Sequence, residues 1–387
     1  VVSKGPHAAD IPIVSGKETL LRIYYTCDNS ITNTVHADLE ITKQNGEIIQ
    51  LERRDLPLQS GTTSISDIDR ADINSTINFL LPANLVPHIE SQQISFLDFS
   101  VSVWAHRALD TDMSNNIFAA RIPYENPREF HTVFRVLHTH TPRQINRRNS
   151  YYNELWRYAK DIIRVLPLNR FSYNYWESND NVTPTFHLSH WGDEWDNELA
   201  DDSILSSAIT SAGLSEYFDS DPPHDSNDIL KWYTFVPRVS GYDGDSFGKG
   251  YNWLGGGESA VGFWVEGENT YLHNSNFQPF YNKGTQTFVH ETGHNLGRDH
   301  VNQEGAEPDD SDPDFPYSGA DATGLGDGTW NGGLGYYWDY SDYLDRRNDD
   351  GSRKKDDEII KILSNDTYTD LMSYGAYRWI SDWQYLK

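Results

Sequence analysis

At 387 residues the chain is too long for a comfortable single core, so two domains are expected. Its 37% hydrophobic and 13% aromatic content is that of a folded globular protein rather than a disordered one. The formal charge of −27 excludes nucleic acid as a partner, since that role needs a basic footprint. Acidity on this scale fits a solvated exterior, a saline habitat or calcium sites, and composition does not separate these. The one cysteine, Cys27, leaves no internal disulfide, and no run of about 18 apolar residues offers a membrane span.

Residues 1–127 read as all-β. TLLRIYY (19–25), HADLEITK (36–43), TINFLLP (76–82) and ISFLDFSVSVWAH (94–106) are short runs rich in β-branched and aromatic residues, several alternating at period two. Asn45-Gly46 marks a hairpin turn between two of these runs. A small β-sandwich of immunoglobulin-like type is the economical reading. With no clustered ligands, its expected role is accessory, and His36 and His106 read as ordinary strand histidines.

The character changes after PYENPRE (123–129). EFHTVFRVLH (129–138) reads as a strand, and the segment after it carries Tyr151, Leu155, Tyr158, Ile162 and Leu166 at helical spacing, ended by Pro167. Strand followed by amphipathic helix opens a domain whose sheet is covered by that helix. A shorter helix is expected at 202–218, a second strand at 229–238, a glycine-rich stretch at 241–257 and an extended segment at 261–267. A further helix begins near Thr285–Gln286. Downstream, 301–353 is acidic and glycine-rich. Asp309, Asp310, Asp312 and Asp314 suit calcium, which takes six to eight oxygen ligands, but their spacing is not that of an EF-hand. A plain solvated acidic loop accounts for them equally well.

His290 to His300, HETGHNLGRDH, is the segment that carries chemistry. His290 and His294 are four apart, so on a helix they stand one turn above each other on the same face. Glu291 lies beside the first ligand and reaches a water on the metal rather than the metal itself. Gly297 lets the chain leave the helix through a conformation other residues resist, bringing His300 back as a third nitrogen ligand. Three protein ligands and an open fourth position suit a catalytic zinc, whereas a structural site closes the fourth. Zinc there acidifies water and polarises a substrate carbonyl, and Glu291 accepts the water's proton as general base. No rival nucleophile competes: Cys27 has no local histidine partner, and a GxSxG elbow is absent.

HETGHNLGRDH followed far downstream by DLMSYG (370–375) resembles the zinc helix and Met-turn of the metzincin metallopeptidases. HNLG, the DPDFPYSG segment and the DLMSYG…WISDWQY ending resemble the secreted group of bacterial mucin-degrading and glycoprotein-cleaving enzymes, and more distantly the gametolysin-like peptidases. The similarity covers much of 128–387 and, weakly, the region before it. It implies an α+β catalytic domain at 128–387, a mixed twisted sheet with zinc helix and Met-turn. It also implies that Met372 is a hydrophobic floor beneath the zinc. By the same resemblance Tyr374 donates to the developing oxyanion; aromatic packing is the alternative role for it. A secreted monomer acting on proteins or glycoproteins is expected, exported through a leader already removed, although the visible start VVSKGPHAAD shows none.

Three departures stand out. Arg298 and Asp299 occupy the two places before His300, and a long charged chain there is expected to reach solvent. Gly375 stands where relatives of the mucin-degrading kind carry a cysteine, and HVNQEG (300–305) lacks the cysteine to pair with it. The competing reading from another class is a glycan-binding or adhesion module with a subsidiary or inactive metal site. Twelve tryptophans and twenty-three tyrosines support it, though aromatics also fill cores. A degenerate pseudoenzyme is disfavoured because the general base is present.

Overall fold

The computed structural model describes residues 13–26, 34–57, 72–85, 95–105, 116–125, 130–136, 148–166, 168, 171–176, 229–236, 251–252, 259–263, 280, 283–301, 312, 314–315, 335–338, 360–363, 368–373 and 378–380. Among these the chain forms a mixed α+β arrangement. Its elements are β1 (Ile13–Val14), β2 (Thr19–Ile23), β3 (Thr34–Thr42), β4 (Ile48–Pro57), β5 (Ile77–Leu81), β6 (Ser95–Ala105) and β7 (Ile117–Glu125). There follow β8 (Phe130–Val136), α1 (Arg148–Val165), β9 (Phe171–Trp176), β10 (Ile229–Val236), β11 (Tyr251–Asn252), β12 (Ser259–Phe263) and α2 (Lys283–Asn295). The last are β13 (Gly335–Trp338), β14 (Ile360–Leu363), β15 (Thr369–Asp370) and β16 (Arg378–Trp379). Two compact units result: Val1–Pro127 with Gly324–Tyr368 and Ser381–Lys387, and Arg128–Thr323 with Thr369–Ile380.

In the first unit, β1-β7-β6-β3-β4 form one sheet and β2-β5 another. Alternation along β3 turns Val35, Ala37, Leu39 and Ile41 inward, and along β6 it turns Leu97, Phe99 and Val101 inward. Ile23 from β2 and Ile77, Phe79 and Leu81 from β5 enter the same core, so both sheets bury their apolar faces together. The β3–β4 hairpin turns at Asn45-Gly46, where Gly46 has φ +83° and its N–H donates to the Lys43 carbonyl at 2.9 Å. His36, buried although it is not part of that core, stacks on Trp104, its cross-strand partner, with ring centroids 6.0 Å apart. Strand β7, absent from the sequence reading, is exposed over its first residues and alternates only near its end.

The second unit holds the sheet β11-β12-β10-β8-β9, in which β12, β10, β8 and β9 run parallel and β11 pairs antiparallel at the edge. Parallel neighbours need crossovers, and α1 supplies the one from β8 to β9. Its Leu155, Tyr158, Ile162 and Val165 are buried at helical spacing. Phe134 of β8, Tyr233 and Phe235 of β10, Tyr158 of α1 and Phe288 of α2 form one aromatic core. Centroid separations are 4.8 Å for Tyr233–Phe288, 5.1 Å for Tyr158–Phe235 and 5.3 Å for Phe134–Phe288. These contacts fix the rotation of α2 about its axis, and with it where the histidines point. The helix expected at 202–218 lies outside the described residues.

Candidate metal centre

Helix α2, KGTQTFVHETGHN, is a poor helix former, with two glycines and three threonines in 13 residues. Burial compensates: Thr285 to Gly293 are all buried, and tertiary packing sustains a helix that would not survive alone. Its end is a Schellman motif. Gly297 sits at φ +79°, its N–H donates to the His294 carbonyl at 2.8 Å, and the Arg298 N–H donates to the Gly293 carbonyl at 3.0 Å. The chain therefore doubles back at Gly297 and delivers His300 to the helix face that carries His290 and His294.

The three imidazoles converge. Nε2 of His300 lies 3.3 Å from Nε2 of His290 and 3.0 Å from Nε2 of His294. Two nitrogens held about 2.0–2.1 Å from one tetrahedral ion stand about 3.3 Å apart, so the spacing fits one ion between them. Proton placement agrees. Nδ1 of His290 is 2.7 Å from the Leu371 carbonyl oxygen and Nδ1 of His294 is 2.7 Å from the Arg298 carbonyl oxygen. A carbonyl only accepts, so each Nδ1 carries the proton and each Nε2 presents its lone pair to the shared centre. Burial holds His290 well below the usual imidazole range, with Arg378, His294 and His300 adding to the effect. His300 is lowered to about 4 by burial, then by His294 and Arg378. Imidazole nitrogens brought this close repel one another unless a cation occupies the centre, and this trio is the group among the described residues that could hold a metal ion.

Glu291 is buried, with Oε1 4.0 Å from Nε2 of His290: beside a ligand atom but outside the ligand set. Below the helix, residues 370–373 form a turn tied to each ligand. The Leu371 carbonyl holds His290, the Met372 carbonyl accepts from Val301 N–H at 3.2 Å next to His300, and the Met372 thioether abuts Gly293 next to His294. A Cβ on Gly293 would meet the Met372 sulfur at 2.5 Å, so only glycine permits this approach. Asp370, fully buried, closes the turn by accepting from Met372 N–H at 2.7 Å through Oδ1 and from Ser373 N–H at 3.1 Å through its carbonyl.

His290, Glu291, His294, Gly297, His300 and Met372 are thus brought into one place. Tyr374 lies outside the described residues, as do Gly375, Cys27, His106, Asp309 and Asp310. Of the proposed calcium ligands, Asp312 is buried and spends its groups locally. Its N–H donates to the His300 carbonyl at 2.6 Å, and its Oδ1 accepts from Asp314 N–H at 3.0 Å. Arg298 corrects the sequence expectation. It is half-buried rather than solvent-directed, and burial depresses its pKa against the opposing pull of Asp312 and Asp370. Sequence reasoning missed Gly293, Asp370, the Leu371 carbonyl and Arg378. Only Gly293 carried a local signal, as a second glycine inside a helix with no turn to make. No family model, curated protein or solved structure matches the chain.

Proposed function

We propose that the chain is a zinc-dependent endopeptidase of metzincin type, acting outside the cell on proteins or glycoproteins as a monomer. Residues 128–387 would carry the chemistry, with 1–127 as an immunoglobulin-like accessory sandwich. The observation that carries this reading is the meeting of three imidazole nitrogens beside one buried carboxylate, Glu291. His290, His294 and His300 would hold the ion, which when bound supplies Lewis acidity that acidifies water and polarises a carbonyl.

Glu291 takes a proton from the attacking water as its oxygen bonds to the amide carbon. It returns that proton to the amine nitrogen as the C–N bond breaks. Enclosure of Glu291 strengthens its interaction with that proton, since little water competes. Among the described residues β11 is the edge strand of its sheet and lies beside α2, where an extended peptide substrate could add its backbone while pockets choose side chains. Tyr374 is assigned by resemblance the part of oxyanion donor, and Met372 the floor beneath the ligands.

A second reading keeps the metal and drops the chemistry: a glycan-binding or adhesion module with a subsidiary or inactive metal site. A three-histidine cluster in a largely β-sheet fold is all this reading requires. One experiment separates the two. Wild type and Glu291→Gln are each assayed for zinc content and for new termini generated in a mixed protein and glycoprotein library. The peptidase reading expects equal zinc and cleavage reduced by about 10²–10⁴-fold in the variant. Equal zinc and no cleavage by wild type, with glycan binding, favours the module.

A further inference from the structure

Arg378 stands beside the first metal ligand, and the proposed hydrolysis makes no use of it. It lies on β16, opposite Thr369 of β15, which places it next to the strand that leads into the 370–373 turn. Its Nη1 is 3.4 Å from Nδ1 of His290. That nitrogen already carries a proton donated to the Leu371 carbonyl, so two donors face each other and the contact is not a hydrogen bond. What passes between them is charge. The arginine is half-buried, where solvent and salt screen it less than at the surface.

The usual neighbour behind a metal-bound imidazole is a carbonyl or carboxylate, which raises the basicity of the ligating nitrogen. His290 has such a carbonyl in Leu371, but it also has a guanidinium, which does the opposite. A positive charge there draws electron density away from Nε2 and repels a divalent ion held by the cluster.

We propose that Arg378 is a tuning residue that weakens zinc binding by the His290, His294 and His300 cluster, acting through His290, so that occupancy follows the free zinc concentration. This rests on reading the cluster as a zinc site. A merely structural arginine predicts the reverse sign, because its loss would loosen the ligands.

The test is zinc affinity of the full chain, by competition with a chromophoric chelator at fixed salt, with the melting temperature of the metal-free protein measured alongside. Arg378→Gln keeps a donor and removes the charge, and should bind zinc tighter by about tenfold or more, given one unit charge a few ångströms from a divalent ion at an effective dielectric of about 20. Arg378→Lys keeps the charge and should stay near wild type. An Arg378→Gln protein that melts normally yet binds zinc no tighter than wild type overturns the proposal. If both Arg378→Gln and Arg378→Met fail to fold, the residue serves the fold and the proposal is equally overturned. Wild-type protein that does not bind zinc overturns the metal-site reading itself, and shows this before any variant is made.

Discussion

In the first unit β3 and β6 bury Val35, Leu39, Ile41, Leu97, Phe99 and Val101, and the buried Arg22 is satisfied by neighbours: it donates to Thr76 Oγ1 and to the Asp72 carbonyl, both at 3.0 Å. In the second unit α2 buries Thr285, Gln286, Thr287, His290, Glu291, Thr292 and Asn295, with Asp370 and Asp312 beneath it. Burying polar groups costs free energy unless each finds a partner, and a helix meant only to fill a core would carry aliphatic residues there. The first unit buries polar groups too, Arg22, His36, Thr76 and Asn78 among them, but they are spread over several strands, whereas those of the second gather along one helix and the turn beside it. Such departures concentrate where a chain does chemistry. The contrast yields expectations that differ in kind between the two units.

The largest concerns the metal. A ligand that binds only the folded site stabilises it by about 4 kcal/mol when its free concentration is about a thousand times Kd. Stripping zinc with a chelator should therefore speed amide exchange by several hundredfold in 283–301 and 368–373, and leave 34–42 and 95–105 unchanged. Equal acceleration in both units would dissolve the contrast. Its mirror image is Leu39→Ala, at a side chain with no exposure in the first core. The cavity should cost about 3 kcal/mol of stability, measured by denaturant unfolding, with zinc affinity untouched.

Gly293→Ala sharpens the comparison from the other side. Its Cβ would fall 2.5 Å from the Met372 sulfur, so the thioether must move away from the helix. A cost of about 2 kcal/mol is expected. Unlike Leu39→Ala it should also weaken zinc binding, since the displaced turn carries the Leu371 carbonyl that orients His290. Undiminished zinc affinity in a destabilised Gly293→Ala protein would detach the turn from the metal centre.

How much of this was readable in advance follows from the range of each interaction. Strands β3 and β6 announced themselves because period-two alternation is local, and so did Asn45-Gly46. The ligands were legible for the same reason: i, i+4 spacing on a helix and a glycine three residues before His300 are short-range facts. Strand β7 escaped because half its residues are exposed and alternation fades there. The Leu371 carbonyl, 81 residues from His290, and Arg378, 88 residues away, were beyond reach, because nothing in a local window records which distant backbone faces a ring nitrogen. Arg298 was misjudged from composition: an arginine two residues before a ligand looks exposed until the buried carboxylates that draw it inward are placed.

The smallest effect gives the cleanest separation of the two units. Gly46 and Gly297 share a left-handed backbone, at φ +83° and +79°, and an added Cβ would meet nothing within 4 Å at either. Steric clash is thus removed as a variable, and alanine at each position pays only the intrinsic cost of that conformation, about 1 kcal/mol. Gly46→Ala and Gly297→Ala should therefore lower the stability of metal-free protein by nearly the same amount. Their effects on zinc should differ. Gly46 closes a hairpin whose strands pair without a break from Thr42–Ile48 to Ala37–Arg53, so a shift of the turn stops there. Gly297 is the point where the chain reverses to return His300 to Nε2 of His294, and the path of the two residues between is held by the Arg298 N–H bond to the Gly293 carbonyl and by the bond from His294 Nδ1 to the Arg298 carbonyl. A small rotation at Gly297 moves a ligand nitrogen, so zinc affinity should fall in Gly297→Ala and remain at the wild-type value in Gly46→Ala. If Gly297→Ala binds zinc as wild type does, the reversal at Gly297 does not set the third ligand, and the geometry of His300 must come from the Asp312 and Met372 contacts that flank it.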